Sequence, residues 1–198
     1  MSTTTSQPRQ LLNRSQRQET ILVGAARAFA ACGYAATSME DVAAAAGITK
    51  LIVYRHFDSK EELYRAILQR VFDRLKDEFL TGLSGAGPRG GIGVRALYVV
   101  AREDPAGFSL LWKHAAREPQ FADYAREHRD MAVAAARLLL GQSLQDPLLL
   151  AWAAEATVSW AVDAVLTWIE LGDAARDQEM IELSTSGLHA LVATWAKT

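Results

Sequence analysis

Cysteine is almost absent from this 198-residue chain: Cys32 stands alone, so no disulfide can form within it. Set among Ala30, Ala31 and Gly33, it reads as a small buried packing residue rather than a reactive thiol. Long apolar runs are missing too. None reads as a bilayer span, and the amino terminus lacks the apolar core of a signal peptide, which predicts a cytoplasmic protein with no membrane partner. No alternating apolar–polar run suggests a strand, which leaves an all-α fold, and no repeat period is present. Nucleophile–base pairs and metal-ligand motifs are missing as well, so no enzymatic activity, cofactor or metal is expected. The nearest approach to a metal site is His114 with Glu118, and Asp123 with Glu127 beside His128. It is interleaved with Arg117, Arg126 and Arg129, and reads as a solvated, salt-bridged face.

Apolar residues, by contrast, make up 50% of the chain, enough for one sizeable core or for a small domain plus a larger one. The net charge of −2 hides an asymmetry. Residues 1–60 carry seven Lys/Arg against four Asp/Glu, and residues 61–198 carry fourteen against nineteen. A basic head on an acidic body suits a chain that meets phosphate with one end only.

Punctuation divides the rest. Residues 1–14 are polar and aperiodic and are expected to be disordered. Ser15 with Gln18 can open a helix as a capping box; Ile21, Ala25, Phe29 and Cys32 continue it, and Gly33 ends it. Short helices are expected over 38–45 and 49–56. Ser59 caps a longer one marked by Leu63, Ile67, Val71, Leu75 and Phe79. Residues 82–93 hold six glycines and one proline and read as a flexible loop. They are not a phosphate-binding loop, because no strand precedes them and no Gly-Lys-Ser/Thr closes them. Helices are then expected over 92–103, 105–117, 119–140, 147–171 and 174–196, with prolines near first turns and glycines after last ones.

The most informative stretch is residues 37–63, TSMEDVAAAAGITKLIVYRHFDSKEEL. Thr37 with Glu40 reads as a capping box. Ala43 is small where two helices must cross, Gly47 permits a tight turn, and Val53 faces back into the seam. That spacing suits a helix-turn-helix. Thr49, Lys50, Leu51, Tyr54 and Arg55 should be exposed on its second helix, with Ile48, Val53 and Phe57 in the core.

With Gly47, the tetrad Tyr54-Arg55-His56-Phe57 and the helix opening Ser59-Lys60-Glu61-Glu62-Leu63, the stretch resembles the amino-terminal domain of the TetR family of transcriptional repressors. The resemblance covers residues 15–68. It implies an arm (1–14), a three-helix DNA-binding head (15–58), and a larger helical body for regulation and dimerisation (59–198). It implies a homodimer on a near-palindromic double-stranded DNA operator, relieved by a small apolar or amphipathic effector. The alternative is a DNA-binding regulator without an effector, controlled by abundance or a protein partner.

By the same resemblance, Lys50, Leu51 and Tyr54 meet base edges, while Tyr54, His56 and Lys60 grip phosphates with Ser38 as a helper. The chain departs from the family at Leu51 and Ile52, where glycine and threonine are common. Ile52 has no hydroxyl to offer a phosphate, and the pair should favour apolar readout. Arg9, Arg14 and Arg17 either reach DNA as an arm or stay in solvent.

Aromatic residues are dense in the body: Tyr98, Phe108, Trp112, Phe121, Tyr124, Trp152, Trp160, Trp168 and Trp195. The resemblance implies an effector cavity among the helices over 59–140, with Phe72, Tyr98, Phe108, Trp112, Tyr124 and Met131 as candidate lining and Trp160 and Asp163 as further candidates. In 147–171, Val158, Val162, Val165 and Ile169 form a branched face, and Glu155, Ser159, Asp163, Thr167 and Glu170 another. With Leu191 and Trp195, the branched face should bury in the subunit core or across a two-fold axis; the resemblance favours the latter. Asp163 can bind an effector, pair across a dimer or face water.

Overall fold

Helix α1 (Arg14–Cys32) opens the computed structural model, which describes residues 14–85 and 90–197. Arg14 already lies in this helix, so Ser15 sits inside the first turn and is not its cap. The rest of the expected arm, Arg9 included, and part of the expected glycine loop lie outside the described residues. Ile21, Leu22, Ala25, Ala26 and Phe29 are buried on one face. Gly33, at φ 81°, ends the helix, and its N–H donates to the Phe29 carbonyl at 2.8 Å. Cys32 is exposed, against expectation. The chain leaves the helix one residue later, and the thiol stays in solvent.

The capping box of α2 (Met39–Ala45) falls one residue later than the sequence suggests. Ser38 is the cap: its hydroxyl accepts from the Asp41 N–H, and the Asp41 carboxylate accepts from the Ser38 N–H at 2.8 Å. Thr37 is displaced from that role because it is buried; its hydroxyl donates to the Gly33 carbonyl at 2.7 Å. Gly47, at φ 65°, makes the turn into α3 (Lys50–Tyr54). Val53 and Phe57 are buried and Ile48 packs on the same core, as the pattern requires. Helix α4 (Lys60–Ser84) starts at Ser59, whose hydroxyl accepts from the Glu62 N–H at 3.0 Å; Leu63, Ile67, Val71 and Leu75 are buried along it.

The body is α5 (Ile92–Glu103), α6 (Pro105–Ser109), α7 (Ala122–Leu140), α8 (Pro147–Leu171) and α9 (Asp177–Trp195). Among the described residues there is no strand. The single helix expected over 105–117 is three pieces. After α6 come a π-helical turn, Leu110–His114, and a 3-10 turn, Ala115–Arg117. Helix α7 begins at Ala122 instead of Pro119, because Phe121 is held in a tight turn by its N–H bond to the Glu118 carbonyl.

Helix α8 corrects two expectations. By length and composition it is apolar enough to cross a bilayer, contrary to the sequence reading. Its wall of Val158, Val162 and Val165 is buried inside the subunit, where Ala161 and Ala154 join it, so these residues are not available to a two-fold axis. Core packing rather than lipid supplies that face with its apolar surroundings.

Head and body share one core. Phe29 and Tyr34 from the head meet Tyr64 of α4 and Phe121 of the body, with Tyr64 and Phe121 stacked at 4.3 Å and Tyr34 and Phe121 edge-on at 4.9 Å. Burying each such ring contributes about 1.5–3 kcal/mol. Arg70 of α4 adds ion pairs to Glu19 of α1 and Asp104 at the start of α6.

Candidate nucleic-acid interface

Helix α3 is short, so its position depends on what it packs against. Val53 and Phe57 pin its inner side, and the outer side presents Thr49, Lys50, Leu51, Tyr54 and Arg55. Leu51 is 62% and Tyr54 43% exposed, unusual for large apolar side chains on so small a helix. Thr49 caps the helix with its backbone only, which leaves its hydroxyl uncommitted to the cap. Lys50 pairs with Glu40 of α2, and its ammonium lies 5.6 Å from the Tyr54 ring centroid. The Glu40 hydrogen bond raises the lysine pKa above its ordinary value. Glu40 therefore holds the Lys50 amine across the helix-turn-helix seam, a role the sequence did not suggest.

His56 and the start of α1 come together. Partial burial lowers the His56 pKa first, and the charges of Arg14 and Arg17 lower it further. Arg14 and Arg17 thus act on the imidazole through their charge. Ser38 is exposed at the start of α2, but its hydroxyl already bonds with Asp41.

Lys60 stands differently. Its ammonium donates to the carbonyls of Tyr34 at 2.8 Å, Thr37 at 3.0 Å and Ala35 at 3.4 Å, and lies 4.4 Å from the Tyr34 ring centroid. All three of its donors are occupied within the protein. They tie the α1–α2 turn to the start of α4.

The effector candidates are scattered over several environments. Tyr98 and Phe108 are buried in the main core, the Tyr98 hydroxyl 3.1 Å from Ser184. Phe72, Trp112 and Tyr124 pack against that core. The Tyr124 hydroxyl donates to Gln69, and burial pushes its pKa up to about 12. Met131 is exposed beside an open groove lined by Asp123, Arg126, Glu127, Asp130 and Ala134. Trp160 and Asp163 are exposed on the outer face of α8. So the eight residues do not converge on one cavity in this structure.

His128 departs furthest from its sequence reading. Expected on a solvated face, it is 3% exposed, because its position on α7 turns inward onto Phe72. Among the described residues no cluster could hold a metal ion.

Comparison with known proteins fits this geometry. The sequence model described as bacterial regulatory proteins, tetR family, matches residues 21–67, the stretch from α1 into α4. The transcriptional activator FasR of Mycolicibacterium smegmatis is 34% identical over 115 residues, 56% of this chain and 52% of its own. The transcriptional repressor KstR2 of Rhodococcus jostii is 39% identical over 74 residues, 35% of this chain and 36% of its own. The matched stretch thus spans about half the length of the first relative and a third of the second. Among solved structures, a TetR-like regulator from Rhodococcus sp. RHA1 superposes with a TM-score of 0.77 at 20% identity, covering 92% of this chain and 98% of that one. AibR, solved with isovaleryl coenzyme A and operator DNA, superposes at 0.65 with 22% identity, covering 84% and 94%. The head, residues 21–67, thus matches the tetR family's own sequence model, and the whole helical chain shares the fold of TetR-like regulators.

Proposed function

We propose that this chain is a transcriptional repressor that binds a near-palindromic operator as a homodimer and is relieved by a small apolar or amphipathic effector. The observation that carries it is the outward face of α3, with Thr49, Lys50, Leu51, Tyr54 and Arg55 held on buried Val53 and Phe57. In this reading Lys50 donates to guanine and Leu51 meets a thymine methyl. Arg14, Arg17, Tyr54 and His56 face phosphates. Dimerisation uses the outer side of α8 and α9, where Leu148, Trp152, Leu183 and Leu191 are exposed and Trp152 packs on Trp195 at 4.8 Å. An effector in the body acts through α7 and Phe121 on the ring cluster that seats the head, changing the spacing of the recognition helices.

Electrophoretic and fluorescence titrations against operator-containing DNA test this directly. Half-site centres should lie about 34–36 Å apart or a multiple of that, and affinity should fall steeply with salt. Binding indifferent to salt would overturn the reading. Lys50→Ala should cost about 1–3 kcal/mol on the operator and less on operators altered at one position. Lys60→Ala should lower the melting temperature and weaken all DNA alike while leaving the salt slope unchanged, since its ammonium is spent on the 34–37 turn. A slope reduced by about one unit would return Lys60 to a phosphate contact.

His56 predicts a pH dependence. Burial and then the charges of Arg14 and Arg17 hold its pKa below the ordinary histidine value in the free protein, which favours the neutral ring. A phosphate beside it raises the pKa in the complex, so binding takes up a proton. Affinity should therefore rise as pH falls through the complex's pKa towards the lowered free one. His56→Gln should flatten that profile down through the lower part of the histidine range.

A second reading, a regulator without a small-molecule effector, has one observation in its favour. Tyr98 and Phe108, expected to line a cavity, are packed into the main core. Operator affinity unmoved by any amphipathic compound that binds the protein would select it.

A further inference from the structure

We propose that the effector is held by Trp112 and His128, and that it is an uncharged amphipathic molecule able to accept one hydrogen bond and donate another, such as an aliphatic alcohol or amide. This rests on the effector reading above. Two buried polar atoms in the described structure have no hydrogen-bond partner: Nε1 of Trp112 and Nε2 of His128. Native interiors rarely leave such atoms unsatisfied, and those that remain call for a ligand, water or functional role.

Their demands are opposite. The His128 Nδ1 lies 2.8 Å from the Tyr124 carbonyl oxygen. A carbonyl only accepts, so Nδ1 carries the proton and Nε2 presents a lone pair. The indole N–H can only donate. A hydroxyl or primary amide answers both needs; an ether answers only the indole, and a hydrocarbon neither.

The surroundings set the remainder of the molecule. The His128 ring lies between Phe72, at 4.2 Å, and Tyr124, at 4.1 Å. Trp112 packs both on the main core and on the second cluster of Val133, Ala154, Val158 and Val162. These surroundings therefore favour an apolar body. The cations flanking these two residues in sequence are engaged: Lys113 with Glu170, and Arg129 with Glu155 and Ser159. A carboxylate would thus enter apolar surroundings without an uncommitted cation next to either anchor in sequence. Trp112 also sits at the centre of the π-helical turn, Leu110–His114, a distortion that recurs at functional sites. His128 shares α7 with the junction to Phe121, so a ligand drawing on the imidazole pulls on the helix that seats the head.

The test uses the full-length protein and three probes matched in size: n-hexanol, methyl pentyl ether and n-heptane. Binding is followed by titration calorimetry and thermal shift. Hexanol should bind about tenfold tighter than heptane, with the ether between them. Trp112→Phe and His128→Phe should each weaken hexanol by about the same factor and leave heptane unchanged. Without probe, Trp112→Phe should be nearly as stable as the parent, because it removes an unsatisfied polar atom, and His128→Phe should lose only the Nδ1 bond to the Tyr124 carbonyl. Equal binding of hexanol and heptane overturns the polar anchor while leaving an apolar effector site intact. Binding of none overturns both. Variants that melt lower without probe yet bind hexanol normally show atoms satisfied by water, and also overturn the proposal.

Discussion

Replacing Gly24 with alanine should unseat the DNA-binding head. In an open helix the change would stabilise by up to about 1 kcal/mol. Here a Cβ would stand 2.6 Å from the Ala46 Cα and 2.7 Å from its backbone nitrogen, where α1 passes the end of α2. The obstacle is main chain, so no rotamer relieves it. Helices α1 and α2 must move apart, and α3 moves with α2. A net loss of about 1–3 kcal/mol is expected, with a melting temperature lower by several degrees. DNA affinity should fall on every sequence, because the recognition helix loses its seat rather than a contact. Gly93→Ala in α5, where a Cβ meets nothing within 4 Å, is the control and should be neutral or slightly stabilising. Differential scanning calorimetry beside DNA titration decides it. A Gly24→Ala protein with unchanged melting and full DNA affinity would mean the helices cross further apart than described.

The two sides of α8 should respond to the same charge in opposite ways. Val162 is 5% exposed within the subunit, in the cluster with Val133, Ala154 and Val158. Val162→Glu buries a carboxylate with no partner, a loss of roughly 3 kcal/mol or more, and should unfold the body. Trp152 is 52% exposed on the opposite side, beside Trp195. Trp152→Glu should leave helix content and melting of the subunit nearly intact, and should convert the proposed dimer to monomer in light scattering. DNA affinity should fall with it, since two half-sites are no longer read together. A folded Val162→Glu protein would contradict the burial. A fully dimeric Trp152→Glu protein would move the interface off this face.

Much of the head was readable because it is local. The step of four along Leu63, Ile67, Val71 and Leu75, the glycines at 33 and 47, and the cap at Ser59 act within a few residues of chain. Even here, the capping box slipped by one. Thr37 and Ser38 are chemically alike, and only the buried bond of Thr37 to Gly33 selects between them. Lys60 was readable as a cation near the DNA face. That its donors are filled by Tyr34, Ala35 and Thr37 depends on a turn more than twenty residues away.

Periodicity, caps and turn residues are short-range properties, and they were enough for the order of most helices and the exposed set on α3. The tertiary structure decided which side of each long helix is inside. Val158, Val162 and Val165 could have met a second subunit as readily as their own, and α8 had two faces on offer. Burial also removed His128 from the polar face its neighbours imply, and broke the 105–117 helix into α, π and 3-10 pieces around Trp112. These outcomes depend on helices distant in the chain competing to cover one another, a long-range balance that no local pattern of residues encodes.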